Sequence, residues 1–398
     1  MTHITSRLSR QEIILQEQGF QILKFLGEGG FGQVFLVFKK EVGVVAAKIM
    51  DEKEFDLQEW QIGFQLGNAD QNPFTLKYIS TNLLGHQAMI LMEYSNFKNL
   101  DTIIDKKVDL PIYLIRSIMK QLLQGLNIIH SKGLIHRDIK GQNILLHSPI
   151  GSGRVILKIA DYGLVKQKRP NNKKSTLMTV DGTYIYMPPE FIIDFEEGVT
   201  KADYQVDIWS AGIIFYQLIV HSFPFKTSNQ IAFNMFMFNR ILDRPACIRD
   251  YKYDILWDLM ENMLQFDRRK RISAAKALDH PFFTGKQAKS EITTEAKRLA
   301  HEAEHNGGKE ITIFDKDPSY IIPVVDVKNI VGFDPEQEDI RIQRHIQPPQ
   351  VKIEKRSDNV DNVLIECDWC KEEVKFSAYK AHQDEHVAQQ KSREREIV

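Results

Sequence analysis

The most informative segment of this chain reads His136-Arg137-Asp138-Ile139-Lys140-Gly141-Gln142-Asn143, and the apolar run Ile144-Leu145-Leu146 follows it at once. Upstream, from Ile112 to His130, apolar residues recur with the 3.6-residue period of an amphipathic helix. Eighteen residues past Asn143 stands Asp161-Tyr162-Gly163, and further on comes Gly182-Thr183-Tyr184-Ile185-Tyr186-Met187-Pro188-Pro189-Glu190. The polar stretch from His136 to Asn143 therefore lies between an amphipathic helix and an apolar run.

A glycine-rich motif lies near the N-terminus, in Gly27-Glu28-Gly29-Gly30-Phe31-Gly32-Gln33-Val34, which fits G-x-G-x-x-G-x-V. Glycines there let the backbone close over nucleotide phosphates where any Cβ would obstruct. Plain glycine turns between strands are at least as common, so the motif alone is a weak signal. A dinucleotide-binding site needs a helix directly after the glycines, and a strand rich in Phe and Val follows instead.

One lysine stands on the next apolar strand. Sixteen residues beyond Gly32 comes Val45-Ala46-Ala47-Lys48, in which Lys48 could pair with the α- and β-phosphates of a nucleotide. An isolated lysine on a strand is usually a surface residue whose stem packs on apolar neighbours. Its place after the glycine motif favours the phosphate role.

Together, these motifs resemble those of the eukaryotic protein kinase family. The resemblance covers about two thirds of the chain, and Ile139 is a single conservative change from H-R-D-L-x-x-x-N. It implies an α+β, bilobal fold for residues 20–283, with a small β-rich N-lobe over 20–95 and a larger helical C-lobe over 96–283. Periodicity agrees, because glycine-broken β segments precede Asn99 and helical periods dominate after it.

The resemblance also implies roles that suit phosphoryl transfer, which needs positioning and charge neutralisation. Lys48 would bind the phosphates of ATP, Asn143 and Asp161 would hold Mg²⁺, and Asp138 would accept the proton of the substrate hydroxyl.

Two features point to the serine/threonine class. Lys140 resembles the lysine that these kinases place beside the γ-phosphate, and Gly182-Thr183 resembles their substrate-facing loop. The implied activity is ATP-dependent transfer of the γ-phosphoryl group to serine and threonine hydroxyls of proteins.

Further residues complete the implied nucleotide site. Glu59, eleven residues after Lys48, is predicted to orient that lysine, although the gap is shorter than in most kinases. Glu52 and Glu54 lie too near the strand end to swing round. Met92 would guard the back of the pocket at the start of the hinge, a role that an ordinary core methionine can also fill. The predicted ATP-binding residues are Gly27, Glu28, Gly29, Gly30, Phe31, Gly32, Val34, Ala46, Lys48, Glu59, Met92, Glu93 and Ser95.

Some matching positions are expected to serve the fold. Asp207 would brace the backbone of the catalytic loop, and Arg271 would pair with Glu190 inside the helical lobe. Tyr162 stands where the metal motif usually has Phe, and its added hydroxyl needs a partner in a mostly apolar site. Since Asp161 is intact, metal binding should survive.

The segment between Asp161 and Glu190 predicts regulation. Arg137 needs an anionic partner when buried, and five more basic residues follow: Lys166, Lys168, Arg169, Lys173 and Lys174. We predict that phosphorylation of Ser175, Thr176 or Thr179 orders this loop, because a phosphate brings nearly two negative charges to Arg137. A solvated basic loop and a nuclear-import signal in KQKRPNNKK remain open alternatives. Thr183 fits a structural part of the substrate loop better than a regulatory site.

Near the C-terminus, Cys367, Cys370, His382 and His386 have the Cys-x2-Cys-x11-His-x3-His spacing of a tetrahedral zinc site. Apolar residues between them could form a miniature core, which predicts a small ββα-like zinc module over residues 363–390. Unrelated surface histidines in a disordered tail are the alternative.

The charge of this module bears on its partner. Between Leu364 and Val387 six acidic residues outnumber three basic ones, a poor match for phosphate backbones. The gap of eleven is also one short of the usual DNA-binding spacing. The module resembles the small fingers that bind proteins, some of them ubiquitin, so protein binding is favoured over nucleic acid, with a purely structural tail third.

Composition bounds the remainder of the chain. Of its 398 residues 43% are apolar, and 52 basic against 53 acidic side chains leave a net charge of −1, which favours no nucleic-acid or membrane partner. The longest apolar run, Ala211 to Val220, is about half of a bilayer crossing, so it predicts a buried helix and no membrane insertion. Three cysteines and no signal segment predict the cytoplasm, with the nucleus open.

The flanking regions carry no motif beyond these. Residues 1–19 are expected to be an N-terminal extension, and 284–362 a charged linker, helical in part and otherwise disordered. Two alternatives from other classes compete with an active enzyme. One is a pseudokinase scaffold, against which the intact Lys48, Asp138, Asn143 and Asp161 argue; the other is an adaptor whose functional centre is the C-terminal module.

Overall fold

In the computed structural model, the N-lobe is built on one antiparallel sheet with strand order β1-β2-β3-β5-β4. The described residues of the chain are 9–29, 32–67, 72–162, 166–167, 183–193, 203–225, 236–306, 311–346, 364–366 and 373–375. The strands that a short connection joins are neighbours in the sheet, whereas the third and fourth strands are separated by a helix in sequence and by the fifth strand in the sheet. The strands are β1 (Gln21–Gly29), β2 (Gly32–Lys39), β3 (Gly43–Asp51), β4 (Tyr78–Leu84) and β5 (Gln87–Met92).

Both faces of this sheet are covered, which explains why β5 is buried along its whole length. Helix α1 (Arg10–Glu17) begins at a Ser9 capping box and packs Leu15 into an apolar cluster on one face. Helix α2 (Leu57–Gly67) lies on the other face and contributes Leu66 to the main core. Because side chains alternate along a strand, each β3 residue belongs to one face or the other.

The C-lobe is mainly helical. Its long helix α4 buries one apolar stripe, as the 3.6-residue period predicts, and α6 is buried on nearly all sides, which confirms the predicted core helix. The helices are α3 (Asp101–Ile104), α4 (Ile112–Ser131), α5 (Pro189–Ile193), α6 (Gln205–Val220), α7 (Asp254–Met263), α8 (Ala274–Leu278) and α9 (Pro281–Thr284). The strands are β6 (Leu134–Ile135), β7 (Ile144–His147), β8 (Arg154–Ile159) and β9 (Lys166–Gln167).

The region after α9 differs from the predicted linker, because its described part up to residue 346 folds back onto the C-lobe and belongs to the same compact unit. Val327 and Val331 lie in the main core, and β10 extends the β7–β8 sheet. The apolar residues of this region are spread over several short elements. They form no continuous hydrophobic period, so the packing could not be predicted from the sequence pattern. The elements are α10 (Lys286–Ser290), α11 (Thr294–Asn306), β10 (Ile322–Pro323), α12 (Val324–Val331) and α13 (Pro335–Ile346).

A second compact unit comprises residues 347–398. Its described part is an antiparallel pair of strands, β11 (Leu364–Glu366) and β12 (Glu373–Lys375), in which Glu366 pairs with Glu373. None of the helices in the described ranges reaches the combination of length and apolar character that a bilayer crossing needs.

Candidate active site

The pairing of Lys48 with Glu59 follows from the alternation along β3. Ala46 and Met50 face the main core beneath α2, so Lys48, between them, points to the same side. Glu59 lies in the first turn of α2 and is buried. Lys48 Nζ is 3.5 Å from Glu59 Oε1. Burial raises the pKa of Glu59, the positive charge of Lys48 opposes that rise, and the negative charge of Asp161 adds to it. The side chains of Lys48, Glu59 and Asp161 therefore lie close together.

The described part of the glycine motif lies at the end of β1 and the start of β2, where Gly29 pairs with Gly32. A Cβ on Gly27 or Gly29 would meet no atom of the described residues within 4 Å. Gly32 has a different reason to be glycine, because its φ is +129° and a Cβ there would overlap the carbonyl oxygen of Ile49. Gly30 and Phe31 lie outside the described residues, whereas Glu28 and Val34 are in β1 and β2.

The catalytic loop is held in a left-handed conformation at Arg137, whose φ is +72°. Asp207, at the start of α6, accepts the backbone N–H groups of His136 and Arg137 at 2.9 and 2.7 Å. His130 Nε2 lies 2.8 Å from the same carboxylate. Burial tends to raise the pKa of Asp207, but the hydrogen bond and charge of His130, together with His136 and the Arg137 N–H, outweigh burial and leave that pKa below its usual value. Asp207 braces the loop as expected.

One oxygen of the Asp138 carboxylate is contacted by two polar residues of the same loop. Asn143 Nδ2 donates to Asp138 Oδ2 at 2.8 Å, and Lys140 Nζ lies 2.9 Å from the same oxygen. Asp138 Oδ1 is buried and has no hydrogen-bond partner among the described residues. One carboxylate oxygen is therefore held in place while the other remains for a ligand.

Asp161 lies beside this loop because the Ala160 N–H donates to the Asn143 carbonyl at 2.8 Å. It has a left-handed backbone, with φ of +65°, and its Oδ1 is also buried without a partner in the described part of the chain. Asn143 donates to Asp138 through Nδ2, so its amide oxygen is the atom left for a cation. Carboxylate and amide oxygens are ligands that Mg²⁺ prefers. The residues present fit an Mg²⁺ ion held with a nucleotide.

Tyr162 is fully buried, and its hydroxyl is hydrogen-bonded to the backbone. The hydroxyl donates to the carbonyl oxygen of Ile159 at 2.8 Å and lies 3.3 Å from that of Leu76. Burial raises the pKa of Tyr162 well above its ordinary value, so the group stays a neutral donor. The substitution for Phe is thus accommodated without turning Asp161 away.

The hinge begins where β5 ends. Met92 is buried next to Ala46, consistent both with the predicted pocket residue and with an ordinary core methionine. Glu93 Oε1 accepts from Lys158 Nζ at 2.9 Å, which ties the hinge to β8 of the C-lobe. Ser95 follows, with its hydroxyl buried and unpartnered in the described ranges.

The predicted ion pair between Arg271 and Glu190 is present in the structure. Arg271 donates through both terminal nitrogens to Glu190, at 2.8 and 3.0 Å, and both side chains are buried.

The regulatory residues are described only in part. Arg137 packs over the ring of Phe191, whereas Ser175, Thr176 and Thr179 lie outside the described residues.

The predicted zinc ligands Cys367, Cys370, His382 and His386 are outside the described residues as well. Within the described ranges, no group of three or more His, Cys, Asp or Glu side chains converges as a metal cluster. The Mg²⁺ fit does not conflict with this, because Asn143 is an amide and ATP phosphates supply further oxygens.

Comparison with known proteins agrees with this geometry, because the family model described as "Protein kinase domain" matches residues 20–283. The chain belongs to the protein kinase family. It is 31% identical over 270 residues to Aurora kinase of Yarrowia lipolytica, an alignment spanning 66% of this chain and 68% of the relative. It is 27% identical to human serine/threonine-protein kinase 10, over 72% of this chain and 30% of that protein.

A third relative is serine/threonine-protein kinase pakH of Dictyostelium discoideum, 30% identical over 71% of this chain and 53% of its own length. These alignments thus range from about a third to two thirds of the relatives' lengths. Family model and relatives support a protein serine/threonine kinase, a class that uses ATP and Mg²⁺ and acts on proteins.

Sequence reasoning missed two residues that contact the kinase site. Tyr78 donates a hydrogen bond to Glu59, and Lys158 anchors Glu93. Neither lies in a motif, because each reaches the site from a distant strand. The one local signal was Gly63, a glycine inside a helix, which often marks a close approach.

Proposed function

We propose that this protein is an active protein kinase that transfers the γ-phosphoryl group of ATP to serine and threonine hydroxyls of protein substrates. The observation that carries the proposal is the state of Asp138 and Asp161. Each has one buried carboxylate oxygen without a partner in the described structure, in the same cleft as the Lys48–Glu59 pair. Leaving a buried carboxylate oxygen unpaired is costly unless a ligand uses it.

The residues divide the work as follows. Lys48, held by Glu59, binds nucleotide phosphates, and Asn143 and Asp161 hold Mg²⁺, which supplies charge neutralisation at the transferring phosphoryl group. Asp138 orients the substrate hydroxyl and receives its proton at Oδ1. Lys140, already at Asp138, adds positive charge where the phosphoryl group arrives.

Conversion of Asp138→Asn tests this proposal against a pseudokinase scaffold. The variant should lose about 10²- to 10⁴-fold in kcat for Mg²⁺-dependent phosphorylation of a peptide array, because a general base is removed with little change in shape. Asp279→Asn, an exposed aspartate outside the cleft, is the control and should keep full activity. Equal labelling by both variants would show that the phosphorylation does not depend on Asp138, which would contradict the proposed catalysis.

Phosphorylation of Ser175, Thr176 or Thr179 is proposed to activate the enzyme. The support is Arg137, whose Nε is buried without a partner in the described ranges and whose pKa is lowered by burial, so an anion would stabilise it. Phosphatase treatment should lower activity, and Arg137→Ala should abolish the difference between treated and untreated protein. An Arg137→Ala enzyme that keeps full phosphate-dependent activity contradicts this mechanism.

The C-terminal unit is proposed to hold one structural zinc ion through Cys367, Cys370, His382 and His386. The pairing of β11 with β12 supports it, since the six residues between these strands include both cysteines. Elemental analysis of the purified chain should find about one zinc per molecule. Cys370→Ser should lose the metal, whereas Cys247→Ser, at an exposed free cysteine, should keep it.

Protein recognition is the function proposed for this zinc module, with ubiquitin as the candidate to test. Its acidic balance supports a protein over a nucleic acid. Binding to immobilised ubiquitin should disappear after chelation while peptide phosphorylation persists, which would identify two independent modules. Imaging of the tagged chain should place it in the cytoplasm, with nuclear signal only if the basic run 166–174 acts in import.

A further inference from the structure

Tyr78, the first residue of β4, contacts the lysine–glutamate pair from inside the N-lobe. Its side chain is completely buried, and its hydroxyl donates to Glu59 Oε1 at 3.2 Å. This is the same oxygen that lies 3.5 Å from Lys48 Nζ. Two donors from two strands therefore converge on one carboxylate oxygen, and together they fix where the Glu59 side chain can lie.

The absence of a side chain at Gly63 leaves the space that the Tyr78 ring occupies. Gly63 lies one turn after Glu59 on α2, and a Cβ built on it would come within 2.6 to 2.9 Å of the ring carbons of Tyr78. The helix does not need glycine for its conformation, since Gly63 has no positive φ. Glycine in a helix interior lowers helix stability relative to alanine. The space it leaves lets the helix rest directly on the tyrosine.

The same ring reaches the residue that follows the metal-binding aspartate. The Tyr78 and Tyr162 rings lie 5.3 Å apart between centroids, at 56°. Burial and the neighbouring Glu59 charge raise the pKa of Tyr78 well above its ordinary value, so its hydroxyl remains a donor. A phenylalanine would fill the same volume, so the hydroxyl is the part of this side chain that packing leaves unexplained.

We propose that Tyr78 is a positioning residue for phosphoryl transfer, which holds the Glu59 carboxylate so that Glu59 in turn keeps Lys48 at the nucleotide phosphates. The proposal rests on the kinase function proposed above and adds one residue to its site. Gly63 belongs to the same device, because a larger side chain there would separate the hydroxyl from Glu59.

The direct test is Tyr78→Phe in the full chain. We expect KM for ATP to rise about 10-fold while KM for the peptide stays unchanged, because one charge-assisted hydrogen bond that orders the phosphate site is lost. A purely structural role would instead lower the active fraction and leave both KM values as they were. Tyr113→Phe is the matched control, since it removes a 3.1 Å hydrogen bond to Asp326 outside the cleft. It should change neither KM.

The route through Glu59 is tested by repeating Tyr78→Phe in a Glu59→Gln background. If Tyr78 acts through this carboxylate, the second change should alter KM for ATP by less than twofold. The same factor in both backgrounds would overturn the proposal. Gly63→Ala, which keeps the hydroxyl but displaces the ring, should reproduce the rise in KM and covers the case of a poorly folding Tyr78→Phe.

A binding measurement separates this proposal from the proposed activity. The dissociation constant of a fluorescent ATP analogue with Mg²⁺ needs no turnover, and Tyr78→Phe should raise it about as much as KM. Wild-type protein that binds the analogue but phosphorylates nothing would refute the kinase function alone. Unchanged analogue affinity in Tyr78→Phe would refute the role of Tyr78 alone.

Discussion

Two non-glycine residues of the catalytic cleft, Arg137 and Asp161, have left-handed backbones with φ of +72° and +65°. Such conformations cost about 1 to 3 kcal/mol each and persist only where surrounding contacts enforce them. At Arg137 the enforcing group is Asp207, which accepts two consecutive backbone N–H groups. Asp207 begins the stretch Asp207-Ile208-Trp209-Ser210-Ala211-Gly212, whose match to a kinase position identified it, because its role depends on one side chain at one fixed place.

Tyr162 gives a prediction in which little should change. Tyr162→Phe removes a buried hydroxyl, yet its acceptor, the Ile159 carbonyl, also receives the Leu76 N–H at 2.8 Å and is not left unpaired. We expect the free energy of unfolding to change by less than about 1 kcal/mol, and kcat to be retained. Urea unfolding and a peptide assay check this. A kcat loss above about 10-fold would mean that the hydroxyl orients Asp161.

Arg271 gives the opposite case. Arg271→Ala leaves the Glu190 carboxylate buried without its bidentate partner, so it should cost about 3 to 5 kcal/mol in urea unfolding. Arg269→Ala, two positions away in an exposed pair with Asp267, is the control and should leave stability unchanged. In the double variant Arg271→Met with Glu190→Leu, the loss should be smaller than for Arg271→Ala, because no buried charge remains. Equal losses at positions 269 and 271 contradict the argument.

The elements after α9 join the C-lobe through both core residues and polar contacts with the hinge. In α13, Asp339 accepts from Asn96 Nδ2 at 2.6 Å, and Phe333, just before that helix, packs edge-on against Phe97. In β1, Lys24 Nζ lies 2.7 Å from Glu338 Oε1. This segment therefore contacts the N-lobe sheet as well as the hinge.

Two valines of α12 test this packing. Val327 is fully buried, whereas Val325 is 47% exposed on the same helix. Val327→Ala should lower the free energy of unfolding by about 2 kcal/mol, through lost burial and the cavity left behind. Val325→Ala should change it by less than about 0.5 kcal/mol. Urea unfolding compares them, and similar values would show that α12 is loosely attached.

How far sequence predicts this molecule depends on how local each signal is. Asp138, Lys140 and Asn143 lie within six residues, and Asp207 and Arg271 stand in recognisable motifs, so their contacts were foreseeable. Tyr78 contacts Glu59 from a distant strand, and Val327 packs against residues far away in the sequence. A local hydrophobic period therefore predicts neither contact. Gly32 was predicted as glycine for the phosphates, and the overlap with Ile49 that also requires glycine there depends on the register of β2 with β3.

The family match ends at residue 283, but the compact unit ends at 346, and this difference predicts how truncated proteins behave. A chain cut after 283 lacks Ile322, Val327 and Val331, so the core surface that they cover becomes exposed. It also lacks the anionic partners of two nearly buried arginines. Arg116 would lose Glu291, at 2.6 Å, and Arg154 would lose Asp315, at 3.4 Å.

We therefore expect residues 1–283 to unfold at a lower temperature than residues 1–346 and to aggregate, because buried cations without anionic partners and an exposed apolar surface both destabilise the folded state. Removal of 347–398 alone should leave the unfolding temperature of the first unit unchanged, since that segment forms a separate compact unit. Calorimetry of the three proteins gives the comparison. If the 1–283 protein matches 1–346 in unfolding temperature and solubility, the segment after α9 adds nothing to the stability of the catalytic fold.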